Sequence, residues 1–125
     1  MSKPTKIPSA EDIARADRRM KERFRGVDEV RESVLGKFTG LCPLHDFHLL
    51  PQRDVDFRAY IFFERHVDVD ACEADGISRE IVDYVYSELE RVGRGGRKDI
   101  VVAFEFDSDE DVKANFEGNY FLRLR

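Results

Sequence analysis

The chain holds only two cysteines among its 125 residues, Cys42 and Cys72, and has no apolar run of the length a spanning helix needs. Two thiols cannot build the disulfide framework of a small secreted scaffold. Nothing after Met1 has the charged, apolar and small-residue order of a signal peptide, so a reduced, cytoplasmic setting is the expectation. Proline is scarce as well: there are four, and two of them fall in the opening MSKPTKIP, which reads as a loose tail over residues 1–8. Internal repeats, low-complexity tracts and long linkers are missing, so residues 9–125 read as a single domain. The GK[ST] ending of a phosphate loop and the GxSxG nucleophile signature are also missing, and no cofactor is implied.

An excess of positive charge is lacking too. The 21 Lys/Arg against 26 Asp/Glu give a net charge of −5, which repels a nucleic-acid backbone unless the cations gather on one face. The charge is also unevenly spread. Residues 1–35 carry nine cations against seven anions, whereas residues 54–90 carry three against eleven. An acidic middle of this kind fits a protein partner with a basic surface better than it fits nucleic acid.

What is present is apolar bulk. The sequence is 42% hydrophobic, with ten Phe and four Tyr, enough to bury a core in one domain without staples. Ser9 with Asp12 forms a capping box, and Ile13, Ala16, Met20 and Phe24 recur at helical spacing, which predicts a helix over 10–25 ended by Gly26. Its other face, with Arg15, Arg18, Arg19, Lys21, Arg23 and Arg25 among Asp17 and Glu22, reads as a solvated surface with ion pairs or as a docking surface for an acidic partner. A short second helix from Asp28 is expected to end at Gly36.

DFHLL is a short strand candidate closed by Pro51. VDFRAYIFFERHV is the strongest strand signal, and Tyr60, Phe62 and Phe63 demand cover on both faces. Residues 68–76 read as a polar connection, and ISREIVDYVYSELERVG as a helix burying Ile77, Ile81, Tyr84, Val85, Leu89 and Val92. DIVVAFEF alternates as a strand with Ile100, Val102, Phe104 and Phe106 inward, and the closing NYFLRLR alternates as another. The expected fold is α+β: N-terminal helices and one longer helix packed on a mainly antiparallel sheet of about four strands.

Four constellations have the right residue types for chemistry. Asp107, Asp109 and Asp111 alternate like the first ligands of a calcium loop, but the sixth and twelfth positions, Val112 and Gly118, cannot serve. Ser108 as a helix cap with acids in the first turn accounts for the same letters. Cys42, His45 and His48 stand three apart, and Cys72 could complete a zinc set, or all four are simply packed thiols and imidazoles near a turn. Glu64, His66, Asp68 and Asp70 share one face if the strand continues past Val67, with Asp107 as a neighbour, which is the material of a metal-dependent hydrolase or nuclease. RVGRGGRK offers cations and glycines to a phosphate or a partner; a helix stop followed by a turn explains its glycines.

The reading that unites most of these features is a small regulatory protein of the inhibitor or immunity type, using an acidic surface and having no catalytic activity of its own. The expected contact residues are Asp68, Asp70, Glu73 and Asp75 on the acidic side and Arg94, Arg97 and Lys98 in the Gly-Arg turn. The alternative is the hydrolase built on His66, Asp68 and Asp70. RNA binding is a third reading, and it requires the first helix and the Gly-Arg turn to meet on one surface.

Overall fold

A computed structural model describes residues 9–125; the tail expected over residues 1–8 lies outside them. The elements run α1 (Ala10–Arg23), α2 (Val27–Phe38), β1 (Leu44–Pro51), β2 (Phe57–Phe63), α3 (His66–Ala74), α4 (Ile77–Arg91), β3 (Val102–Ser108), α5 (Asp109–Asn115) and α6 (Tyr120–Arg123). The class is α+β in one domain, as the pattern predicts. The sheet has three strands in the order β1-β2-β3 rather than about four. It is mixed: β1 and β2 form an antiparallel hairpin, while β2 and β3 pair in parallel, so the chain between them crosses over through α3 and α4.

β2 is the central strand, and its alternation sorts the core into two layers. Phe57, Ala59, Ile61 and Phe63 join Phe47 and Leu49 of β1 against Val30, Val34 and Phe38 of α2 and Ile81, Val85 and Leu89 of α4. Tyr60 and Phe62 point to the other face and meet Val112, Phe116, Tyr120 and Leu124 of the C-terminal helices. Five phenylalanines, Phe38, Phe47, Phe57, Phe62 and Phe63, are fully buried, each stabilising the fold by about 1.5–3 kcal/mol relative to exposure. Ile100 and Val102 are buried as expected, and Phe104 and Phe106 pack half-buried on the same core.

Three local expectations are corrected. The polar segment 68–76 lies within a helical stretch, because its first turn is fully capped: the Asp68 carboxylate accepts from the Arg65 N–H at 2.9 Å, and Glu110 of α5 accepts from the His66 N–H at 3.1 Å. The NYFLRLR alternation does not make a strand. Gly118 turns the chain at φ +74°, and the Asn119 side chain accepts from the Leu122 N–H at 3.2 Å, starting a short helix instead. The second helix runs past Gly36 to Phe38, whose ring is needed in the core.

The first helix forms where expected. Ser9 Oγ accepts from the Asp12 N–H at 3.1 Å, and the Asp12 carboxylate accepts from the Ser9 N–H at 3.3 Å. None of its residues is buried, however. Ile13 is 59% exposed, Met20 52% and Phe24 41%, so its apolar stripe lies largely open to solvent.

Candidate functional site

Two places outside the core bring chemistry-bearing side chains together. The first lies at one end of the sheet. Phe63 of β2 is aligned with Leu44 of β1 and with Ser108 of β3; Glu64 and Asp109 follow that row, and His45, at the irregularity between Leu44 and Asp46 of the antiparallel β1, meets them from a third element. Nδ1 of His45 stands 3.1 Å from Glu64 Oε2, and Nε2 stands 3.3 Å from Asp109 Oδ1. Their ligand atoms lie within 4.8 Å of one another, the only such group among the described residues.

One imidazole and two carboxylates can hold a divalent ion, yet the Asp109 carboxylate of this set is already engaged from within. Asp109 is buried. Its carboxylate accepts from the Tyr120 hydroxyl at 2.6 Å and pairs with Lys113 Nζ at 2.9 Å. The Tyr120 bond, ahead of the contributions of Lys113 and His45, holds the Asp109 carboxyl below the usual aspartate range, while burial opposes that shift. Burial and the same carboxylate push the Tyr120 hydroxyl far above its usual value, so it stays a donor. The arrangement is a clasp that joins β1, β2, α5 and α6.

The zinc set does not assemble. His45 belongs to the clasp, and His48 stands 3.1 Å from Asp46 Oδ2, its pKa lowered chiefly by burial. Cys42 packs partly buried with its thiol on the Phe38 carbonyl, and Cys72 is buried, its pKa pushed up to about 11 by desolvation. The His66, Asp68 and Asp70 face is likewise corrected. All three lie on α3, where positions two apart point to opposite sides, so Asp68 turns inward while His66 and Asp70 face solvent. Asp107 pairs with Arg123 at 2.7 Å, and Ser108 caps α5 through the Asp111 N–H at 3.0 Å, as the capping reading of the calcium-like stretch requires.

The second place is a groove of about 530 Å³ between α3, the start of α4 and β3. Val69, Ala74, Val82 and Phe106 make its walls apolar, and Glu73 and Arg79 stand on it. Ser78 lines it too, 8% exposed, with a buried hydroxyl oxygen that has no hydrogen-bond partner. A buried hydroxyl left unpaired is unfavourable, and a ligand group entering the groove can relieve it. The two helices lining the groove carry exposed Asp70, Glu73, Glu80 and Asp83, with Asp75 in the turn between them. Of these, Asp83 is paired with Arg97 at 2.8 Å and Asp75 accepts from the Ile77 N–H. Asp70, Glu73 and Glu80 have no ion-pair partner among the described residues. β3 is an edge strand, paired with β2 on one side only, and its Phe106 lines the groove.

The expected contact residues are thus divided. Glu73 lines the groove, Asp70 is exposed on the same helix and Asp75 in the turn after it, while Asp68 is buried in the cap of α3. Arg94 is turned inward: its Nη1 donates to the carbonyls of Glu22, Arg23 and Arg25, and its guanidinium lies 4.9 Å over the Phe57 ring. Arg97 is tied to Asp83 and lies 4.5 Å over Tyr86, which leaves Lys98 as the exposed cation of that turn without an ion-pair partner. The first helix and the Gly-Arg turn do meet, but through guanidinium-to-backbone bonds that use Arg94 up as a surface cation.

No family model, curated protein or solved structure matches the chain. No helix among the described residues is long and apolar enough to cross a membrane.

Proposed function

We propose that this protein is a small binding or regulatory module of the inhibitor or immunity type, which covers a basic surface of a protein partner with the acidic face around α3 and α4 and performs no chemical step of its own. The observation that carries this reading is the groove itself: apolar walls, an unpaired buried hydroxyl, and Glu73 on the lining with Asp70 exposed on the same helix, neither of them in an ion pair among the described residues. Apolar walls supply affinity by burial, and the unscreened carboxylates steer and select a cationic partner. The fate of the other acids supports it by contrast, since Asp12, Asp68, Asp109 and Glu110 are engaged in caps and clasps.

The test places a photo-crosslinking amino acid at Ala74, an exposed residue on the groove, in the native cell. Capture of a basic protein that weakens with salt and is lost in the Asp70→Lys, Glu73→Lys double variant is the supporting result. Capture that ignores both salt and charge reversal, or no captured protein at all, removes the reading.

A further inference from the structure

The helix whose apolar stripe is left open to solvent and the apolar groove between α3, α4 and β3 are complementary. On a helical projection Ile13, Met20 and Phe24 form one stripe, with Arg19 and Arg23 along one border and Asp17, Lys21 and Arg25 along the other. Residues 10–25 carry six cations against four anions. Arg15, Lys21 and Arg25 are held by intrahelical pairs, while Arg18, Arg19 and Arg23 have no ion-pair partner among the described residues. A 14-residue helix is marginal in water by itself, and only its ends are secured here, by the capping box and by Arg94.

We propose that α1 of one copy of this chain docks in the α3–α4 groove of a second copy. The apolar stripe enters between Val69, Val82 and Phe106, and the bordering arginines meet Asp70 and Glu73 on the α3 side, away from Arg79 on α4. This rests on the reading of the groove as a docking site and names its occupant. Placement on the fold agrees with exchange between copies. α1 is anchored at the C-terminal end of α4, through Arg25 to the Val92 carbonyl at 3.2 Å, while the groove lies at the N-terminal end. Those ends are about 22 Å apart for a 15-residue helix. Two copies with their α4 helices antiparallel bring each α1 towards the other's groove, which makes the contact isologous and closed. A helix about 21 Å long and 10 Å wide cannot alone reach the roughly 1,200 Å² of a stable interface. Two such contacts, formed together, can. An outside partner and α1 then compete for one groove, so assembly keeps the acidic face covered until a partner displaces it.

Sedimentation of the full chain tests this, with circular dichroism confirming that each variant is folded. The expected result is a dimer at tens of micromolar that weakens at least tenfold as salt rises, weakens at least tenfold in Ala74→Arg, and is abolished in the Ile13→Glu, Met20→Glu double variant, whose positions are exposed. A monomeric wild type overturns the proposal. So does a dimer lost in the helix variant but unaffected by Ala74→Arg, which assigns α1 to another surface. A monomer whose helix variant loses affinity for single-stranded RNA overturns it as well and assigns α1 to nucleic acid. The crosslinking result at Ala74 is independent: a monomer that captures a basic protein leaves the binding role standing, and a dimer that captures none leaves only self-association.

Discussion

The hydroxyl of Tyr120 donates to Oδ1 of Asp109 at 2.6 Å, joining the last helix of the chain to the residue that begins α5. The same carboxylate receives Lys113 and faces His45, so one buried acid ties the first strand, the helix after the last strand and the C-terminal turn together. Its first-turn position on α5 adds the favourable field of a helix N-terminus.

Tyr120→Phe keeps the ring against Phe62, at 4.9 Å between centroids, and removes only the donor. The expected loss is about 1–2 kcal/mol, read as a lower urea midpoint with an unchanged slope. Because the Asp109 carboxyl titrates below its usual range, its contribution is fully present above the unfolded value of about 3.9 and is lost as pH falls through the lower folded value. The gap between variant and wild type is therefore widest at neutral pH and narrows below about pH 4. A gap that stays constant into acid would falsify the assignment.

Glu88 offers a second buried carboxylate with a different task. It accepts from Arg91 Nε at 2.7 Å and from Ser33, whose hydroxyl also meets Tyr84 at 2.6 Å, so it fastens α4 to α2. The Arg91 bond first, and the Ser33 bond next, lower its pKa. Glu88→Gln keeps the shape and loses the charge. A destabilisation of about 1–3 kcal/mol is expected at pH 7 by chemical unfolding, and it should shrink as pH drops through the folded value, where the wild-type carboxylate itself takes up a proton.

How much of this was legible in the sequence depends on the range of the interaction. The caps could be read, because Ser9 with Asp12 and Ser108 with Asp111 are contacts three residues apart. The buried faces of β2 and α4 could be read from period alone. The clasp could not: His45 and Asp109 are 64 positions apart and meet only because β3 pairs in parallel with β2, a choice that no local pattern encodes. Segment 68–76 misled because Asp68 and Asp70 look like solvated connection, and the group that completes the cap, Glu110, comes from a later helix. The groove was only half visible. Its acids show in the charge count, but its walls come from α3, α4 and β3 and exist only after packing.

Arg94→Ala is expected to free α1 while leaving the body folded. Three carbonyl partners, on Glu22, Arg23 and Arg25, lose their shared donor at once, and none of the residues of α1 has a packed side to compensate. Local opening should rise about tenfold, visible as faster tryptic cleavage after Arg23 and Arg25 with little change in the main unfolding transition. Arg94→Lys should behave almost like alanine, because a single ammonium cannot reproduce the guanidinium's stacking on Phe57.

Gly26 is the hinge on which that anchoring turns, and two independent constraints fall on it. Its φ of +80° belongs to the left-handed region, and a Cβ built there meets Val92 Cγ2 at 2.7 Å and Cβ at 2.9 Å. Gly26→Ala must therefore both strain the backbone and push aside the side chain of Val92, the residue that caps α4 and packs against the core that α2 and α4 share. A loss of about 1–3 kcal/mol is expected. Val92→Ala in the same chain removes the Cγ2 contact but keeps the Cβ at 2.9 Å and the backbone strain, so it relieves only part of the cost and the double variant should lose somewhat less than the sum of the singles. Strict additivity would mean that the two residues do not press on one another and that the turn between α1 and α2 is set elsewhere.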